Sequence, residues 1–208
     1  WNADPAFWAG YSPVLFPACG GLWNGEYKYK GDTYKMVKHG FVRTMEFAPV
    51  AEPEYGRISL SVQETEETKE QYPFAFTLTI TYALEGKTLT CNASVANPSD
   101  TEVLHYQIGG HPAVMLPDYD KDAEVIGYMR PEPNEGLSVV RASEQGCFGG
   151  ERYSVPQTEE GLIPISVDTF RNEALIFDKW QVNAMTLLRA DKQTEICRLS
   201  HGAPVLLV

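Results

Sequence analysis

Basic residues are scarce in this 208-residue chain: 17 lysines and arginines stand against 28 aspartates and glutamates, a formal net charge of −11. That balance excludes a nucleic-acid partner, whose phosphates require a basic surface. It also disfavours an anionic membrane surface and leaves few cations to clamp a phosphorylated substrate. A neutral small molecule is the easier partner. Cysteine is sparse too. Cys19, Cys91, Cys147 and Cys197 are widely spaced and form no C-x-x-C pair, which argues against a zinc or disulfide framework. They are expected to be small buried hydrophobes in a reducing, cytoplasmic compartment. The four histidines show neither H-x-H nor H-E-x-x-H spacing, so no metal site is expected. Asp118 to Asp122 begins like a calcium loop, but Ala123 and Met129 stand where glycine and glutamate would be needed, and the segment reads as a plain acidic loop. No apolar run approaches bilayer length, and no secretory signal is visible.

Sustained helical periodicity is missing as well, and 14 prolines with 17 glycines interrupt the chain throughout. What is present is strand signal. From Tyr72 to Tyr82, Phe74, Phe76, Leu78, Ile80 and Tyr82 fall on one face, with Ala75 and three threonines on the other. A turn at Glu85-Gly86-Lys87 leads into Leu89, Cys91, Ala93 and Val95, which alternate with polar residues, so this is a β-hairpin. The turn at Asn97 to Asp100 predicts a third strand, Val103 to Ile108, completing a meander. Further hairpins are predicted at Glu26–Met36, turning at Lys30 to Asp32, and at Gln181–Leu199, turning near Asp191. Ile58, Leu60 and Val62 mark another strand. Glu64 to Glu70 reads as a solvated acidic loop, and Pro117 to Gly136 and Arg141 to Gly161 as irregular loops of the kind that wall a binding site. The prediction is an all-β sandwich forming one domain over residues 1–208. The chain opens on Trp1 and closes on the apolar run Ala203 to Val208, so it is expected to be the interior portion of a longer polypeptide.

Two histidines are the candidates for chemistry. In Gln107 to Pro112, Q-I-G-G-H-P, two glycines break the pleat and Pro112 fixes the backbone just after His111. A second glycine-flanked histidine, His39, lies in H-G-F-V-R, residues 39–43. Two imidazoles presented by rigid strands suit acid–base chemistry near neutral pH. From the residues alone, packed and hydrogen-bonded histidines at strand ends fit equally well. Trp1, Phe7, Trp8, Tyr11, Phe16 and Trp23 crowd the first part of the chain, and aromatic faces of this kind either stack on the C–H faces of sugars or pack into a core.

Taken in order, W-x(6)-W, S-P-V-L-F-P-A-C-G-G-L from Ser12, Y-K-M-V-K-H-G-F-V-R from Tyr34, Y-P-F-A-F from Tyr72 and G-G-H-P from Gly109 resemble the aldose 1-epimerase (galactose mutarotase) family, in particular its LacX-like bacterial branch. The likeness covers nearly the whole chain. It implies a galactose mutarotase-like β-supersandwich and an isomerase that interconverts the α and β anomers of a free aldohexose of the galactose or glucose type. It implies no cofactor, and a monomer or homodimer. By position, His111 matches the family's acid histidine and His39 its second active-site histidine. Glu173, Arg43 and Phe16 match as substrate-binding residues, with Glu173 standing where relatives usually carry an aspartate. Two departures stand out. Gly21 takes the place of an arginine that in relatives helps hold the sugar near its ring oxygen. The family's catalytic base is a glutamate in a C-terminal segment, and no such motif stands in this chain. A non-catalytic carbohydrate-binding member of the same fold, or a hexose-6-phosphate 1-epimerase, are therefore the alternatives, the last disfavoured by the acidic balance.

Overall fold

The hairpin read from the alternating phenylalanines is the centre of the first half of the chain. In the computed structural model, which describes residues 1–142, 147–171 and 174–208, the strands Thr77–Glu85 and Thr88–Ala96 pair antiparallel from Thr77↔Ala96 to Glu85↔Thr88. Gly86 occupies the left-handed region (φ 60°) that a two-residue turn demands. Phe74, Phe76, Leu78 and Ile80 are all buried, as the period of two requires. Arg57–Gln63 pairs on the other side of Thr77–Glu85, and Ala48–Pro49 completes a four-stranded antiparallel sheet. A separate hairpin joins Glu26–Tyr29 to Asp32–Lys35 through the predicted turn. The core of this unit, Trp1–Ala113, gathers Phe16, Phe41, Val42, Tyr72, Phe76 and Leu78. At about 1.5–3 kcal/mol for each large apolar side chain removed from water, this cluster is the main stabilising term of the unit.

Three expectations for this half are corrected. Val103–Ile108 is not a strand: its backbone is spoken for by loops. Gln107 donates its N–H to Pro17, and the carbonyl of His105 accepts the Tyr72 hydroxyl. The acidic stretch is a short α-helix, Glu66–Gln71, because Thr65 and Thr68 form a reciprocal capping box and Glu66 and Glu67 sit in the first turn, where the helix dipole favours them. The cysteines are not buried hydrophobes. Cys91 is exposed, on a strand whose side chains face solvent everywhere except Val95, and the other three are half-buried.

The second unit, Val114–Val208, holds two four-stranded antiparallel sheets. One runs Phe148–Ser154, Ser138–Ala142, Ile176–Phe177, Leu206–Leu207. The other runs Ile163–Pro164, Tyr128–Glu132, Ala184–Leu188, Glu195–Ser200. The predicted hairpin near Asp191 is present as the Ala184–Leu188 and Glu195–Ser200 pair. Its turn is tied by the Asp191 carboxylate, which accepts from the backbone N–H groups of Gln193 and Thr194 and from the Thr194 hydroxyl. Both segments expected to be irregular contain strands, which is a further correction. Tyr128–Glu132 escaped the sequence reading because Pro131 and two charged residues interrupt it. Those charges point outward and pair across the sheet, Arg130 with Glu195 at 2.5 Å and Glu132 with Arg198 at 2.7 Å. Among the described residues no helix is long and apolar enough to cross a membrane.

Candidate functional site

The His111 segment is held by a part of the chain almost a hundred residues earlier. Gly109–Gly110 forms a two-residue antiparallel pairing with Val14–Leu15, in the register Val14↔Gly110 and Leu15↔Gly109. The pairing continues past its ends. His111 donates its N–H to the Pro13 carbonyl at 3.0 Å, and Gln107 donates to Pro17 at 2.9 Å. Ala113 donates to the Ser12 hydroxyl at 3.1 Å, and the Gln107 side-chain carbonyl accepts the Cys19 N–H at 2.8 Å. G-G-H-P is thus zipped onto S-P-V-L-F-P-A-C. The backbone approach is closest at 109, where a Cβ would lie 3.0 Å from the Cys19 sulfur and that side chain would have to give way, whereas the nearest atom to a Cβ at 110 would be Pro112 Cδ at 4.0 Å.

His39 is presented by a turn, not by the rigid strand expected for it. It adopts φ 72° and is followed by Gly40 at φ 69°. A Cβ on residue 40 would fall 2.1 Å from the Phe16 carbonyl oxygen, so the backbone can pass there only without a side chain. The turn is locked to the Gly20 peptide from both sides: His39 donates its N–H to the Gly20 carbonyl at 2.8 Å, and Gly20 donates its N–H to His39 Nδ1 at 3.1 Å. A backbone N–H can only donate, so Nδ1 is the acceptor and the ring proton sits on Nε2. Burial, with the charges of Lys38, His111 and Arg43 adding to it, holds the His39 imidazole below its ordinary value of 6.5. His39 is therefore a neutral ring offering an Nε2–H.

The two imidazoles meet. Their ring centroids are 5.8 Å apart and the planes stand at 89°. A third ring, that of Trp8, stacks on His111 with centroids 4.7 Å apart and planes at 26°. Arg43 lies on the short 3-10 turn Val42–Thr44, exposed, near enough for its charge to act on His39. Phe16 is placed elsewhere. Its ring is completely buried against Phe76, Tyr72 and Tyr106 and has no surface to offer a ligand. What Phe16 gives the site is its carbonyl, which accepts the Val42 N–H. Glu173 lies outside the described residues.

Sequence reasoning missed Gly20, whose peptide fixes the His39 tautomer, and Gln107, whose side chain anchors the loop through Cys19. Neither is visible as a pattern, because each acts through a partner distant in sequence. Burial pushes the Cys19 thiol up to about 11, away from the thiolate form that a nucleophile needs.

The sequence model of the aldose 1-epimerase family matches residues 1–128. The plasmid and chromosomal LacX proteins of Lactococcus lactis subsp. lactis are each 34% identical to this chain over 193 residues, which is 90% of this chain and 64% of theirs. The chain thus spans 64% of the length of these relatives. Among solved structures, a galactose mutarotase related enzyme from Lactobacillus acidophilus is 31% identical and superposes with a TM-score of 0.86, over all of this chain and 68% of that one. A galactose mutarotase-like protein from Lactobacillus casei ATCC 334, 24% identical, shares the fold with a TM-score of 0.87 over all of this chain and 70% of its own. With its all-β, galactose mutarotase-like architecture and a family match over more than half its length, this chain belongs to the aldose 1-epimerase family, on the LacX-like side.

Proposed function

We propose that the protein is a cytoplasmic aldose 1-epimerase that interconverts the anomers of an unphosphorylated hexose, with His111 as general acid and His39 as a neutral hydrogen-bond donor to the sugar. The single observation that carries this reading is the pairing of the two imidazoles at 5.8 Å, one of them with its acceptor nitrogen already committed to Gly20. Because Nδ1 of His39 is occupied, that ring has only Nε2–H to give a ligand oxygen. Proton delivery then falls to His111, which sits exposed at a fixed strand end. In the reaction, His111 protonates the ring oxygen of the bound hexose while a base, a role to which no residue of this chain is assigned, takes the proton from the anomeric hydroxyl. The C1–O5 bond breaks to give the open-chain aldehyde, C1 rotates, and closure returns both protons and delivers the other anomer. The electrons redistribute within the sugar, so no cofactor enters. The acidic balance of the chain favours a free hexose over its 6-phosphate.

A second reading is a carbohydrate-binding protein of this fold without turnover: Gly21 stands where the resemblance to the family implies an arginine that helps hold the sugar. Polarimetry of freshly dissolved α-D-glucose and α-D-galactose decides between them. Acceleration of mutarotation over buffer supports the enzyme. Saturable sugar binding by calorimetry with no acceleration supports the second reading, and neither effect overturns both.

A further inference from the structure

Trp8 is held in place by more than its neighbours in sequence. Its N–H donates to the Asp4 carbonyl at 2.9 Å, its own carbonyl accepts the Trp1 indole N–H at 2.9 Å, and the turn beneath it is tied by the Asp4 carboxylate, which accepts the Ala6 N–H at 2.9 Å. The indole also lies directly against Gly10. A Cβ on residue 10 would fall 2.3 Å from Cζ2, 2.6 Å from Cε2 and 2.8 Å from Cη2 of the Trp8 ring. Gly10 is thus a seat for the indole, and the indole in turn lies nearly parallel to the His111 imidazole at 4.7 Å. The His39 ring meets the same imidazole at 89°. His111 Cα is fixed by its backbone hydrogen bond to Pro13, but its two side-chain torsions are not fixed by that bond. The stacked indole and the perpendicular imidazole supply what the backbone does not.

From this we infer that Trp8 is a positioning residue for His111, seated by Gly10, which sets the plane of the acid imidazole and so aims its proton at the sugar. The inference rests on the reading of His111 as the general acid. The role is distinct from sugar binding by aromatic stacking. A tryptophan that merely holds the sugar lowers KM, whereas one that orients the acid acts on kcat. It also differs from inert cover, because removing cover would leave the His111 ring where it meets His39, and kcat, as they were.

The test uses the whole protein with labelled histidine, the His111 resonances being assigned by their loss in His111→Asn. Three variants are compared with the unaltered chain: Trp8→Leu, which removes the aromatic face; Trp8→Phe, which keeps one; and Gly10→Ala, which displaces the indole while leaving both Trp8 and His111 in the sequence. In the unaltered protein the His111 ring protons are expected to be displaced upfield by the indole ring current. Trp8→Leu and Gly10→Ala should abolish that displacement and lower kcat by about 10–100-fold with KM little changed, the scale expected when a catalytic group is misplaced by an ångström or less. Trp8→Phe should retain most of both. His111 resonances in Trp8→Leu identical to those of the unaltered protein would overturn the inference. So would a rise in KM with kcat intact. Should the unaltered protein accelerate no mutarotation, the enzyme reading fails separately. The positioning of His111 by Trp8 is then decided by the nuclear Overhauser contact between the His111 and His39 rings, upheld if Trp8→Leu and Gly10→Ala weaken it while Trp8→Phe does not, and overturned otherwise.

Discussion

Gly20 and His39 hold each other through two hydrogen bonds, N–H to carbonyl in one direction and N–H to imidazole Nδ1 in the other. The consequence is chemical as well as structural, since it leaves His39 with one tautomer and one proton to offer. His39→Asn should test this. Asparagine tolerates positive φ, and its side-chain oxygen stands where Nδ1 stood, so the Gly20 N–H keeps an acceptor. This variant should fold with a loss below about 1 kcal/mol yet bind sugar poorly. His39→Leu strands the Gly20 N–H and forces a branched residue into the left-handed region, and should cost about 1–3 kcal/mol. Urea unfolding and calorimetric sugar titration of the two variants read these outcomes.

The burial of the His39 ring, with the charges of Lys38, His111 and Arg43, sets a pH dependence. Folded His39 takes up its proton at lower pH than the ordinary 6.5 of the unfolded chain. The unfolded state then binds more protons in the interval between the two values, so stability rises with pH through it. The contribution is complete above 6.5 and is lost as pH falls from 6.5 towards the folded value. An NMR titration of the His39 ring should show its midpoint below 6.5, and an unshifted midpoint would refute the assignment.

His111→Asn keeps polarity and approximate size but cannot deliver a proton. Loss of a positioned general acid costs about 10²–10⁴-fold in rate, so most mutarotation measured by polarimetry should disappear while the unfolding midpoint stays put. His105 serves as the control. It lies beside Tyr29 and Phe74, away from the paired imidazoles, and His105→Asn should leave the rate unchanged.

Gly40→Ala should be among the more damaging small substitutions in the chain. The added Cβ meets the Phe16 carbonyl at 2.1 Å, and the residue sits at φ 69°, so clash and strain add. A loss of about 2–3 kcal/mol is expected. Gly86→Ala shares the positive φ but has nothing within 4 Å, and should cost no more than about 1 kcal/mol. Equal losses in chemical denaturation would contradict the steric account of Gly40.

In the second unit, hydrogen bonds from the side chain and backbone of Thr194, and from the Gln193 backbone, pull the Asp191 carboxyl down to about 2. A depressed carboxylate stabilises the folded state above its unfolded value of 3.8, and that contribution is lost as pH falls from there towards 2. Amide-exchange protection at Thr194 should fall through that window and should be low at every pH in Asp191→Ala.

The alternation at Phe74, Phe76, Leu78 and Ile80 determined a hairpin and its buried face without help from the rest of the chain, because a period of two is local geometry. The turns at Gly31, Gly86 and Asp191 were legible for the same reason. The series of motifs around His39 and His111 likewise carried the family, although no single motif did. The strand Ala184–Leu188, covered on both faces, was legible only as one arm of the hairpin turning near Asp191. Tyr128–Glu132 was not legible, since its charged residues find their partners, Glu195 and Arg198, on a strand far along the chain. The site belongs to the same class. That His39 and His111 share one place depends on Val14–Leu15 pairing with Gly109–Gly110, and on Gly20 meeting His39. That Trp8 covers His111 and Phe16 does not depends on which aromatic ring the core consumed. Contacts between segments so far apart in sequence leave no periodic trace within either one, and only the tertiary structure decides them.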